Sequence, residues 1–124
     1  MTAPVPDAAS PRLGEIWAFQ VDIAGRTAPS SMGPDLVLIV SNTRDNALLP
    51  QVSVLPISDA PATDLTVILG AADHYPGRTV DVTRMRSIPK RWLAPPAAGV
   101  LALSRKTMRE VFAAEIQYLC PEPE

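Results

Sequence analysis

The residues best suited to chemistry on an anion lie between Arg78 and Arg109. Eight bases fall there (Arg78, Arg84, Arg86, Lys90, Arg91, Arg105, Lys106 and Arg109) against one acid, Asp81. The rest of the 124-residue chain holds three bases and twelve acids, so a net charge of −2 conceals segregated charge. Segregation of this kind suits an anionic partner such as a phosphate backbone. The same residues would scatter over a solvated surface if the fold placed them on different faces, and periodicity does not decide between the two.

Other candidates are few. His74 lies in the turn Asp73-His74-Tyr75-Pro76-Gly77 and could serve as a general base, although a lone loop histidine is more often a surface residue. Trp17 and Trp92 could stack on bases, with packing in the core as the commoner role. Cys120 has no assignable partner base and reads as an incidental thiol. One Cys and one His exclude a disulfide scaffold and a Cys-rich zinc site and make a His-rich metal site or a Ser-His-Asp triad hard to build, and no metal or cofactor is expected. The chain contains no Gly-rich phosphate loop ahead of a helix, no H-E-x-x-H, no G-x-S-x-G and no C-x-x-C.

Short elements must position these residues, because 14 prolines break the chain often. Gly14–Val21 is a compact apolar run and a strand candidate, and Leu36–Val40 (LVLIV) suits a strand buried on both faces. Residues 22–34, rich in Gly, Pro and Ser, read as a long loop, and 41–50 as turn chemistry. Val52–Ile57 alternates and contains Pro56, which predicts an edge or a bulge. Leu65–Leu69 and Thr79–Met85 are further strand candidates, separated by a turn over 71–77, and a short helix or turn is expected around 88–93. Ser104 is a plausible N-cap for a helix to Leu119, with Met108, Val111, Phe112, Glu115, Ile116 and Leu119 at helical spacing. Five short strands followed by one helix predict an α+β, mostly β domain resembling a small barrel. Residues 1–11 read as a loose arm, 12–120 as the domain and 121–124 as a tail. Met1–Pro11 lacks the basic and apolar regions of a signal peptide, and no run approaches the ~20 apolar residues of a membrane span, so a cytoplasmic location is expected.

The order of these segments resembles the PemK/MazF family of toxin–antitoxin toxins over about residues 12 to 119. Arg12-Leu13-Gly14-Glu15-Ile16-Trp17 is similar to the family's opening R-x-G-[DE]-[IV]-[WY] strand, and Leu36–Asn42 to its second strand. Asn46–Val52 resembles the N-x-x-x-P-x-V approach to the third strand, and Pro56-Ile57-Ser58 the P-[IL]-[ST] that closes it. Arg84-Met85-Arg86-Ser87-Ile88 is a degenerate form of D-Q-x-R-[TS]-[IL]-D, and Leu93 with Gly99-Val100-Leu101 precedes a terminal helix, as in the family.

The resemblance implies an SH3-like barrel of the CcdB/MazF kind with a C-terminal helix, a homodimer, a cognate antitoxin peptide as partner, and growth inhibition through metal-independent cleavage of single-stranded RNA. That reaction needs a base for the ribose 2′-OH, a donor or cation for the charge on the phosphorane, and an acid for the leaving oxygen. Carried over residue by residue, the family's third-strand hydroxyl falls on Ser58 and the arginine of its later motif on Arg86. Gly33 matches the glycine of its G-x-R-P turn, but the arginine position falls on Asp35, whose carboxylate has the wrong sign for a phosphate site. Arg26 could supply the missing cation, and Asp35 itself could act as a weak base. Arg84, Lys90, Arg91 and Trp17 are the expected RNA contacts. The alternatives are a catalytically degenerate member that binds RNA or an antitoxin without cleaving, and a CcdB-like binder of a large protein target.

Overall fold

A computed structural model describes residues 10–19, 35–59, 61–63, 65–70, 73–96 and 99–119. Eight antiparallel strands form one curled sheet: β1 (Glu15–Phe19), β2 (Asp35–Ile39), β3 (Gln51–Ser58), β4 (Thr66–Ile68), β5 (Thr79–Asp81), β6 (Arg86–Pro89), β7 (Leu93–Ala94) and β8 (Leu101–Ala102). Among the described residues two α-helices accompany them, α1 (Thr43–Leu48) and α2 (Arg105–Leu119). The main path runs β4-β5-β3-β2-β1-β7, with β6 also on β3 and β8 also on β1.

The expected strand at Leu36–Val40 is found, and it is buried on both faces because the sheet has two apolar sides. Ile16, Leu36, Leu38, Leu55, Ile57 and Val80 share one side and pack toward Val111 of α2. Trp17, Val37, Ile39, Val52, Val54 and Ile88 form a second cluster, flanked by the partly buried Phe19, Trp92, Leu93 and Val100. The alternation along β1 (Ile16 to one cluster, Trp17 to the other) follows from the strand's two-residue period. Each buried aliphatic side chain is worth about 2 kcal/mol. An exposed ion pair such as Arg84–Asp81 is worth under about 1 kcal/mol, so burial holds this sheet together.

Three expectations are corrected. Val52–Ile57 is no edge or bulge: β3 is central, with β2 on one side and both β6 and β5 on the other. Its β6 pairing stops at Val54 and its β5 pairing begins at Ile57, so Pro56 sits where that ladder is interrupted. Residues 41–50 contain a helix as well as turns. Asn42 Oδ1 accepts the Arg44 N–H at 2.8 Å, and Asp45 sits in the first turn, where the helix dipole favours an acid. The candidate strand Thr79–Met85 ends at Asp81, whose Oδ1 accepts from Thr83 N–H (2.9 Å) and the Thr83 hydroxyl (2.6 Å) and starts a 3-10 turn over Val82–Arg84. The short helix or turn expected around 88–93 is found as a 3-10 turn at Lys90–Trp92, preceded by strand β6.

Helix α2 starts as expected. The Thr107 N–H donates to Ser104 Oγ at 3.1 Å. Its buried face is Thr107, Val111 and Glu115, whereas Ile116 and Leu119 are each 62% exposed. No helix among the described residues is long and apolar enough to cross a membrane.

Candidate functional site

The curl of the sheet leaves a groove of about 310 Å³. Its floor is apolar, from Phe19, Leu36, Val37, Val54, Pro56, Ile57 and Ile88, and its polar groups are Ser58, Arg84 and Arg86. Register explains the convergence. Val54 faces Arg86 across β3–β6, so the first residue of β6 stands over the groove floor. Ser58 ends β3 and faces Thr79 of β5. Arg84 closes the 3-10 turn that Asp81 caps, and its Nε lies 3.5 Å from Asp81 Oδ2.

The Ser58 hydroxyl lies 3.5 Å from Thr79 Oγ1, and that hydroxyl donates to the Ser58 carbonyl at 3.4 Å. Thr79 is buried, so it fixes the end of β3. Arg84 and Arg86 are both exposed. Arg86 has no carboxylate within ion-pair distance among the described residues, which leaves its fork of donors available to a phosphate. Two guanidiniums and a hydroxyl over an apolar floor can hold a phosphate and stabilise charge developing on it. No described histidine lines the groove.

The structure brings together Ser58, Arg84 and Arg86 of the expected site residues. Asp35 begins β2 and faces Phe19 across β1. One step beyond the Leu36–Ile57 pair, the backbone positions of Asp35 and Ser58 are the next to face each other. Arg26 lies outside the described residues. Lys90 does not line the groove, and its Nζ donates to the Asn46 carbonyl at 2.6 Å. The Trp17 indole is buried in the second core cluster, the commoner role expected of it, and its Nε1 donates to Glu15 Oε1 at 3.1 Å. Arg91 is exposed on the 3-10 turn between β6 and β7. His74 is exposed in the β4–β5 loop at φ 71° and does not line the groove.

The basic stretch therefore splits. Arg84 and Arg86 reach the groove, Arg78 pairs with Asp59 at 3.4 Å, and Arg105 and Arg109 border a separate hollow beside Met108 and Phe112 of α2. Phe19 was not among the sequence candidates. Its signal is the alternation Trp17-x-Phe19, which puts both rings on one face, with the second at the strand end where that face opens.

The opening Gly-Glu-Ile-Trp segment proves structural. Glu15 Oε1 accepts from Arg12 N–H at 2.7 Å as well as from Trp17. Gly14, at φ +90°, takes a backbone conformation that other residues rarely adopt. It accepts from Leu103 N–H at 2.9 Å and donates to the Ile39 carbonyl at 2.8 Å.

No protein-family model matches the chain, and no curated protein matches it by sequence. Solved structures do match in fold. An endoribonuclease from a mycobacterial species is 20% identical over 92% of this chain and 96% of its own, with a TM-score of 0.73. A MazE–MazF crystal structure from Deinococcus radiodurans matches at TM-score 0.70 and 18% identity, over 89% of this chain and 96% of the other. The Mycobacterium tuberculosis toxin MazF-mt6 matches at TM-score 0.63 and 18% identity, over 82% and 92%. At these identities the likeness is one of fold, and the fold of this chain is the MazF-type curled antiparallel sheet with a C-terminal helix.

Proposed function

We propose that this chain is a toxin-like endoribonuclease of a toxin–antitoxin module, acting in the cytoplasm on single-stranded RNA without a metal. The observation that carries this reading is the convergence of Ser58, Arg84 and Arg86 on one groove of a MazF-type fold. In the reaction the ribose 2′-oxygen loses its proton and attacks the adjacent phosphorus. The new 2′-O–P bond forms as the P–O5′ bond breaks, leaving a 2′,3′-cyclic phosphate and a 5′-hydroxyl. Arg86 and Arg84 grip the phosphate and offset its added charge, and the Ser58 hydroxyl donates to the phosphorane or the departing O5′. Arg26 and Asp35 remain proposed members of the site, as extra cation and as base.

One observation favours a second reading, binding without cleavage. The Asp35 backbone is next in register to Ser58, and an acid at the position where the family carries an arginine has the wrong sign for a phosphate site. The two readings separate on a long mixed-sequence RNA incubated with the protein in EDTA. Cleavage that Ser58→Ala and Arg86→Ala both abolish supports the enzyme. Salt-sensitive binding without cleavage supports the binding module.

A cognate antitoxin peptide and a homodimer belong to the same proposal. One relative is an endoribonuclease in complex with its cognate antitoxin. Exposed Ile116, Tyr118 and Leu119 give α2 apolar surface for a second copy to cover. A dimer by light scattering at micromolar concentration is expected, and a monomer would count against this part of the proposal.

A further inference from the structure

The described lining of the groove includes one aromatic ring, for which phosphate chemistry has no use. Phe19 ends β1, is half-buried, and lines the groove beside Val37 and Val54. Its ring meets Trp92 edge-on, with centroids 5.9 Å apart and planes at 77°. Such a pair engages at most one face of the phenyl ring and restrains its tilt. Trp92 is itself packed against the second core cluster, so the restraint is anchored.

The position of Phe19 relative to the polar groups matters more than its exposure. Phe19 faces Asp35 across β1–β2, and the next strand over brings Ser58. Two strand spacings, about 10 Å, separate the Phe19 and Ser58 backbones. Apolar Leu36 and Val37 line the groove on the strand between them. A ring at one end and a hydroxyl with two guanidiniums at the other match a nucleotide, whose flat base and anionic phosphate are joined by one sugar.

We infer that Phe19, held by Trp92, is the stacking platform for the nucleobase adjoining the phosphate that Arg84 and Arg86 grip. The inference rests on the RNA reading above. A phenyl ring has no hydrogen-bonding group, so the platform gives affinity for any base rather than a sequence preference. Trp92 is a positioning residue that acts through Phe19.

The test compares two 12-nucleotide probes by fluorescence anisotropy. One is a 2′-O-methyl oligoadenylate, which blocks 2′-oxygen attack. The other is an abasic tetrahydrofuran oligomer with the same number of phosphates. Phe19→Leu is expected to weaken adenylate binding roughly tenfold and to leave the abasic probe within about twofold. Phe19→Tyr restores adenylate binding, and Arg86→Ala weakens both probes. Unchanged adenylate binding by Phe19→Leu, or an equal loss for both probes, overturns the platform. Binding that depends on Arg86 but not on Phe19 overturns it while the RNA reading stands. Failure of the unaltered protein to bind either probe overturns both.

Discussion

The Thr107 hydroxyl donates to Asp73 Oδ2 at 2.6 Å, fastening the β4–β5 loop to the first turn of α2. Asp73 Oδ1 accepts the Ser104 N–H at 2.9 Å, and Oδ2 also accepts the Gly70 N–H at 3.3 Å. This buried acid supplies the negative charge that α2 lacks in its own first turn, where Arg105 and Lys106 oppose the helix dipole.

Asp73 should therefore be a stability residue with an acid-dependent effect. Burial raises its pKa, but the hydrogen bonds from Ser104, Thr107 and Gly70 outweigh that and hold it below the ordinary carboxylate value. With the folded pKa depressed, its contribution is complete above the unfolded pKa of about 4. It is lost as pH falls through the folded value. Asp73→Ala is expected to cost about 2 kcal/mol at pH 7, a fall of roughly 8 °C in Tm. The difference from wild type should shrink on acidification below pH 4. A calorimetric melt with no Tm difference at pH 7 would contradict this role.

Glu115 should behave in the opposite sense. It is 8% exposed, its Oε1 has no hydrogen-bond partner among the described residues, and burial raises its pKa. A raised folded pKa means stability that is complete below the unfolded value and is lost as pH rises through the folded one. Glu115→Gln is expected to stabilise the fold by about 1 kcal/mol at pH 8 and by less at pH 4. Paired denaturant melts at the two pH values measure this, and a variant less stable than wild type at pH 8 would refute it.

Lys90 and Arg84 should separate fold from binding. Lys90 reaches the Asn46 carbonyl. Asn46 is otherwise held by bonds to the Pro11 and Ser41 carbonyls at 3.0 and 3.1 Å. Lys90→Ala is expected to lower Tm while changing RNA affinity by less than about twofold, since Lys90 does not line the groove. Arg84→Ala should leave Tm within a degree or two and weaken RNA binding. The reverse pattern would mean that the groove does not bind through Arg84.

Salt dependence counts the phosphate contacts. Removing either Arg84 or Arg86 should reduce the slope of log affinity against log salt by about 0.7 for a single strand. Isothermal titrations at four salt concentrations give the slope. A slope unchanged by Arg86→Ala would remove that residue from the phosphate site.

Much of the architecture was legible because hydrophobic period dominates it. LVLIV reads as a doubly buried strand, and Ser104 reads as the cap of α2; both hold. Pro56 misled because a missing N–H forbids a central strand only where the ladder is continuous, and here β6 ends before β5 begins. Helix α1 was hidden because Ser, Asn, Asp and Thr serve turns and helix caps alike. Within the site, Ser58 and Arg86 were legible by resemblance, and they do share a groove. Lys90 and Trp17 lie outside that groove, and residue type alone does not show that the ammonium reaches the Asn46 carbonyl or the indole Glu15.

The most direct measurement is the mass of the new RNA ends after incubation with the protein in EDTA. Fragments ending in a 2′,3′-cyclic phosphate and starting with a 5′-hydroxyl are predicted for wild type, and none above background for Ser58→Ala or Arg86→Ala. Intact RNA with the wild-type protein, or the same fragments from both variants, would contradict the assignment of 2′-oxygen attack to this groove.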